Sequence, residues 1–278
     1  MTAISARKLV GYAAVGESVL AEKSIYQEIV RQDVLANADA TTMKVYVNAG
    51  ASIQAYVPGT GVALAQDGSA YVTISNLVEN SLNEGLDGFT VESAPETLVM
   101  QRFDAGMKAR GEWSDTTVLT GMIDNGTEAF AATKNKPVVA TIYPRILNLK
   151  KKLDDVKADK DDRTLTVNPE MENLMLQVDS KIILNTVRGD DIISNGFIGK
   201  IAGFAVYSTS LLPAGTNMIA SHINGYAAKE IYKVEPKLQN TDDSTHIGDS
   251  AIQDRVAFLH GAVRPTLIQV DNSAAVAE

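Results

Sequence analysis

The chain has 278 residues, 45% hydrophobic and 21% charged, a balance that supports a folded core and excludes disorder as the dominant state. There is no cysteine, which excludes disulfides, zinc–thiolate sites and thiol nucleophiles, and the three histidines, His222, His246 and His260, stand too far apart to form a short-spaced ligand pair. The net charge of −9 argues against a tight grip on a nucleic-acid backbone, and no apolar run approaches the roughly 20 residues of a membrane-spanning helix.

The N-terminus, MTAISARKLVGYAAVGE, has a basic start but no sustained apolar core before Glu17, so no secretory signal is expected. Residues 1 to about 40 read as an extended arm with helical content. Between 17 and 35, Val19, Leu20, Ile25, Ile29, Val30 and Val34 recur at helical spacing, but charges interrupt the stripe and the helix needs a partner surface. From 42 to 76 the period falls to two. Met43-Lys44-Val45-Tyr46-Val47, Ile53-Gln54-Ala55-Tyr56-Val57 and Tyr71-Val72-Thr73-Ile74 alternate, and PGTGVALAQDG separates the second run from the third. This is the pattern of a long hairpin whose tip is stable only against another surface.

Ser93 and Glu96 stand in capping-box relation with Pro95 between them. The stripe Leu98, Val99, Phe103, Met107 then continues through Val118, Leu119, Met122 and Ile123, predicting a long helix over 94–123 with a bend near Gly106 and Gly111. VVATI after Pro137 reads as a strand, with Pro144 opening a helix whose face is Ile146, Leu149, Leu153 and Val156. The basic run Lys150-Lys151-Lys152 is answered by Asp154 and Asp155, a mixed solvated face.

Thr164 to Val167 is a short strand. Asn168 then caps a helix with Pro169 in its first turn, acidic Glu170 and Glu172 at the positive end, and Met171, Leu174 and Met175 inward. Residues 197–207 and 218–223 are strand-rich. Further strands are expected at 230–234 and from 255–260 into 263–270, and a loose tail over 272–278.

Catalytic signatures are missing. Gly196, Gly199 and Gly203 lack the GK[ST] ending of a phosphate loop and suit strand ends and turns better. Asp190-Asp191 and Asp242-Asp243 lack calcium-loop spacing, and there is no G-x-S-x-G. No catalytic, cofactor-binding or metal-ligating residue is singled out, and His222 and His260 read as structural.

Asp162 to Gln177, DRTLTVNPEMENLMLQ, resembles the strand, N-P, helix signature of tailed-bacteriophage major capsid proteins of the Hong Kong 97 type. GFIGKIAGFAVYSTSLLP resembles the stretch G-x-I-G-x-I-x-G-F-x-V-x-x-S-x-x-L-P of that family at Gly196, Ile198, Gly199, Ile201, Gly203, Phe204, Val206, Ser210, Leu212 and Pro213. HGAVRPTLIQV, His260 to Val270, is similar to its closing strand around G-x-x-x-x-R-P.

The resemblance implies an α+β Hong Kong 97-like fold. Its parts would be an N-terminal arm (1–41), an E-loop hairpin (42–78), a peripheral domain with a spine helix (79–137), an axial domain (138–228), and a return to the peripheral domain with the tail (229–278). It implies a non-enzymatic subunit, with no cofactor, that self-assembles through pentameric and hexameric capsomers into an icosahedral shell around double-stranded DNA held without tight binding. A portal and scaffolding or decoration proteins would be partners, a membrane would not, and the location would be the virion after assembly in the host cytoplasm. The short arm implies a separate scaffold or none, and no crosslinking Lys–Asn pair is placed. The rivals are an encapsulin-like nanocompartment and, from another class, a soluble α/β hydrolase.

Overall fold

The computed structural model describes residues 24–36, 41–48, 68–86, 96–130, 135–177, 197–241 and 249–273. The first described element is a single turn, α1 (Tyr26–Ile29), followed by the short strand β1 (Leu35–Ala36). The helix expected over 17–35 is therefore extended after Val30. Arg31 N–H donates to the Tyr226 carbonyl at 3.0 Å and Ala228 N–H donates to the Arg31 carbonyl at 3.2 Å, so pairing with a sheet replaces helix there. The part of that stretch before Ser24 lies outside the described residues.

Strand β2 (Met43–Val47) pairs antiparallel with β3 (Ala70–Ile74), joining the first alternating run to the third; the Ile53–Val57 run lies outside the described residues. Strand β4 (Leu77–Leu86) was not expected, because its sequence LVENSLNEGL is polar and only half-buried. Helix α2 (Glu96–Asn125) runs unbroken through Gly106 and Gly111, where a bend was expected. A Cβ on Gly106 would stand 2.6 Å from Leu82 Cδ2, so the glycine lets β4 seat against the helix. The Ser93 capping box lies outside the described residues.

After β5 (Thr127–Glu128) comes α3 (Val139–Asp155), which takes in VVATI from its second valine onward, with Val138 as N-cap, and carries Pro144 in its interior. The strand expected there is corrected to helix. Thr141 supplies the start signal: its hydroxyl accepts from Val138 N–H at 3.0 Å, and its own N–H donates to the Val138 carbonyl at 2.8 Å. Ile142, Ile146, Leu149 and Leu153 are fully buried, whereas Val156 lies beyond the helix and is exposed. Lys151 faces Asp155 at 3.9 Å on the outer side.

Strand β6 (Arg163–Val167) leads into α4 (Pro169–Leu176), where Asn168 Oδ1 accepts from Met171 N–H at 2.8 Å, the expected cap. Strands β7 (Phe197–Ile201) and β8 (Phe204–Ser208) form a hairpin. Its two-residue turn, Ala202-Gly203, has φ of 51° and 93°, positive at both positions as a primed turn requires. Then come β9 (Met218–His222), the long β10 (Tyr226–Thr241) and β11 (Asp249–Ala262), and β12 (Ile268–Asp271).

Two sheets share α2. The six-stranded sheet, ordered β5-β12-β9-β6-β8-β7, is covered on both faces. Met218 and Ala220 of β9 and Phe204 and Val206 of β8 pack with α3 and α4, while Ile219, Tyr207, Ile268 and Val270 face α1 and the C-terminal half of α2. Double coverage explains why β6, β9 and β12 are buried along their whole length.

The second sheet, β10-β11-β4, lies between α2 and the β2–β3 hairpin. Tyr226, Ala228 and Phe258 belong to the α2 side, and Ala227 and Leu259 pack with Val34, Met43, Val45 and Ile74 on the other. The N-terminal half of α2 has its own small cluster, Phe103 and Met107 with Leu86 and Ile252.

Candidate assembly surface

The β2–β3 hairpin has one face in and one face out. Met43, Val45 and Ile74 are buried, whereas Tyr46 (40% exposed) and Tyr71 (57% exposed) sit opposite each other on the outer face. Their rings meet edge to face at 5.5 Å, a preformed aromatic patch. The hairpin base is held from two directions. Arg31 Nη1 donates to the Tyr46 carbonyl at 2.9 Å, and Arg264 Nη2 donates to the Asn48 carbonyl at 2.6 Å. A cleft of about 680 Å³ opens between them, lined also by Val47, Asp159, Asn224 and Val263.

Gly261 completes the seat. A Cβ there would stand 2.7 Å from Ile74 Cγ2, so the glycine of the HGAVRP segment admits the hairpin and its arginine ties it down. Further exposed apolar side chains are Leu35, Val138, Leu147 and Leu176. Val138 borders a shallow groove with Pro137, Val139 and Leu174, crossed by the Lys136–Glu170 ion pair at 2.5 Å.

Behind this surface, three polar networks pin the elements together. Asp115 on α2 is buried, and its carboxylate accepts from Ser24 Oγ (2.8 Å), Ile25 N–H (3.1 Å) and Tyr26 N–H (2.8 Å), capping α1 from another element. Burial pushes its carboxyl above the ordinary range, against the pull of those donors. Glu230 on β10 is likewise raised by burial, although Ser114 Oγ donates to it at 2.6 Å and Arg110 lies nearby. Arg110, almost fully buried, is paired with Asp254 of β11, whose other contact is Leu82 N–H at 2.8 Å.

On α3, Arg145 reaches Asp271 at 3.0 Å and Ser273 Oγ at 2.6 Å, with its guanidinium 4.8 Å from the Phe130 ring centre. Asn217 Nδ2 donates to the Ser273 carbonyl at 2.7 Å. The tail expected from 272 is thus fixed as far as Ser273, because a buried guanidinium needs those acceptors.

The two described histidines are hydrogen-bonded within the fold. His260 Nδ1 lies 2.7 Å from the Tyr226 hydroxyl and its Nε2 lies 3.2 Å from Asn76 Nδ2; burial lowers its pKa and favours the neutral ring. His222 Nδ1 accepts from Asn224 N–H at 3.1 Å, and burial lowers its pKa too. Burial pushes the Tyr207 phenol up to about 12. Among the described residues no group of three His, Asp or Glu side chains is placed to hold a metal ion. His246, Asp190-Asp191 and Asp242-Asp243 lie outside them. Gly203 occupies the β7–β8 turn, and Ile201, Phe204 and Val206 of the same motif are core residues.

Sequence reading found the alternation that places Tyr46 outward, but not Asp115, Arg110, Asp254, Arg145 or Asp271. The partners that tie them to other elements lie about 90 to 172 residues away.

No family model and no curated protein matches the chain. Solved structures do. A chain in a structure of Mycobacterium phage Che8 has 17% identity and a TM-score of 0.64, over 91% of this chain and 92% of that one. The capsid structure of the cyanophage P-SCSP1u gives 12% and 0.65, over 91% and 88%. The virus-like particle from Pyrococcus furiosus gives 10% and 0.57, over 95% and 99%. The fold is the α+β Hong Kong 97-like capsid fold.

Proposed function

We propose that this chain is the major capsid protein of a tailed bacteriophage. It assembles through pentameric and hexameric capsomers into an icosahedral shell that encloses double-stranded DNA. The observation that carries the proposal is one fold shared over about nine-tenths of both chains with a phage capsid subunit. The hairpin supports it: an aromatic pair presented outward from a firmly anchored base is a contact waiting for a neighbour. Heterologous contacts of this sort close into rings, and many weak ones act together in a shell.

On this reading residues 1–41 are the arm, 42–78 the E-loop, 79–137 the peripheral domain with α2 as its spine, 138–228 the axial domain and 229–278 the return. The role is structural rather than catalytic. The virion is the location, with assembly in the host cytoplasm and a portal, and scaffolding or decoration proteins, as partners. The acidic chain would leave packaged DNA mobile if the inner surface of the shell shares that charge.

Electron microscopy of the purified chain tests this. Closed shells or five- and six-membered rings are expected; a small monomer at all concentrations would overturn it. The likeness to the archaeal virus-like particle supports a second reading, a shell around protein cargo. Co-purifying cargo protein in place of DNA would favour that alternative.

A further inference from the structure

Residues 24–36 are attached in turn to α2, to β10 and to the hairpin. The single turn α1 has no cap of its own: its Ile25 side chain makes no capping hydrogen bond, and Asp115 of α2 accepts from Ser24 Oγ, Ile25 N–H and Tyr26 N–H instead. One turn does not hold its shape unaided, because too few bonds offset the ordering of its backbone. Its form therefore depends on its seat, where Ile25, Tyr26, Ile29 and Val30 are buried with Val118 and Leu119 of α2. Next, the Arg31 N–H donates to the Tyr226 carbonyl and the Arg31 carbonyl accepts from Ala228 N–H, a one-residue bridge to β10. A tight turn follows, with Val34 N–H donating to the Gln32 carbonyl at 2.9 Å. It delivers Val34 into the cluster of Met43, Val45 and Ile74, and β1 then pairs with β2 at Leu35–Lys44 and Ala36–Met43.

Helix α2 and the hairpin lie on opposite faces of the β10-β11-β4 sheet, and β10 is an edge of that sheet. Residues 24–36 pass along that edge from one face to the other. We propose that they form a strap that transmits the seating of α1 on α2 to the β2–β3 hairpin, with Arg31 as the positioning residue that passes it on. The same residue holds β10 with its backbone and β2 with its side chain, through Nη1 on the Tyr46 carbonyl at 2.9 Å. A hydrogen bond of that length is lost when its donor moves back by about 1 Å, so the hairpin base follows the backbone at Arg31. Asp115 thus acts on an element it does not touch, around the sheet rather than through it. Arg264 on the Asn48 carbonyl and the seat at Gly261 hold the hairpin independently of the strap, so loss of the strap loosens the hairpin without detaching it. The inference stands apart from shell formation, since every group lies within one chain.

The test is hydrogen–deuterium exchange of the full chain at one pH, with light scattering showing one assembly state. In Asp115→Ala, peptic fragments covering 24–30 should exchange faster by roughly twofold to thirtyfold, the range for a lost helix cap. Fragments covering 43–47 and 70–74 should follow by at least about twofold, while 163–167, in the other sheet, keeps its rate. Arg31→Ala should speed exchange at 43–47 and leave 24–30 protected, because the cap is intact. In the Arg31→Ala background, Asp115→Ala should change the hairpin less than it does in wild type. If Asp115→Ala loosens 163–167 as well, Ser24→Ala gives the reading instead, since it removes one donor and leaves the buried carboxylate in place. A hairpin that keeps its exchange rate while 24–30 loosens overturns the proposal. So does a hairpin response to Asp115→Ala that is equal with and without the Arg31 side chain.

Discussion

Gly121→Ala is the sharpest test of how α2 meets the sheet. Alanine is the better helix former by about 1 kcal/mol, so propensity alone predicts a gain. The structure predicts a loss. A Cβ at 121 would overlap the Tyr226 hydroxyl and stand 3.0 Å from its Cζ and 3.3 Å from His260 Nδ1, in a core where Tyr226 is only 1% exposed. Overpacking costs about 1–3 kcal/mol, and parting the 2.7 Å Tyr226–His260 bond inside the core costs about another 1–3 kcal/mol. After the helix gain, a net loss of about 1–5 kcal/mol is expected, lowering Tm by about 2–20 °C. Urea denaturation of dissociated subunits, followed by far-UV circular dichroism, measures it. Tyr226→Phe removes the atom in closest conflict, so the double variant should be more stable than the sum of the two single losses by about 1–3 kcal/mol. A Gly121→Ala chain as stable as wild type, or strictly additive losses, would refute the reasoning.

Other expectations are smaller in scope. Asp254→Ala strands the buried Arg110 and should cost about 3–5 kcal/mol by the same denaturation assay, whereas Arg110→Met with Asp254→Leu should recover most of it. Asn168→Ala removes the cap of α4 and should cost about 1 kcal/mol. Replacing Tyr46 and Tyr71 together by serine should change subunit stability by no more than about 1.5 kcal/mol while abolishing shells in light scattering and microscopy. His260→Gln should reduce the stability lost between pH 7.5 and 5.5. The buried neutral ring contributes fully above 6.5 and loses its contribution as pH falls through the lowered value, and the variant has no such proton to bind.

Local chemistry was legible in the sequence. Asn168-Pro169 announced a helix start, and the period-two stretches at 43–47 and 71–74 became β2 and β3, whereas the strand-rich run over 197–207 folds back on itself at Ala202-Gly203. Elements fixed from a distance were not. β4 is polar along its length and is a strand because β11 supplies ten partners from Leu77 to Leu86. VVATI has strand propensity, yet Thr141 satisfies the helix start and Ile142 and Ile146 are swallowed by the core beneath α3. The stripe from Ile29 to Val34 followed helical spacing, but Arg31 found a strand edge at Ala227. The candidate surface was half visible: alternation turned Tyr46 outward, while the arginines that hold the hairpin base reveal themselves only once the chain has folded.

Helix α2 has 30 residues, a rod of about 45 Å, and its two halves are seated in different clusters. Its C-terminal half is enclosed by Val118, Leu119 and Met122 among large neighbours. Among the described residues its N-terminal half rests on a smaller cluster around Phe103 and Met107. Such a rod is a lever with a firm pivot and a light far end. A tilt of about 5° at the pivot carries the other tip about 3 Å, using the rise per residue of an ideal helix. In the ring proposed above, that small angle repeated by every copy would become a change of curvature, and the wide end-to-end reach of one helix would let a subunit fit several radii without repacking its main core.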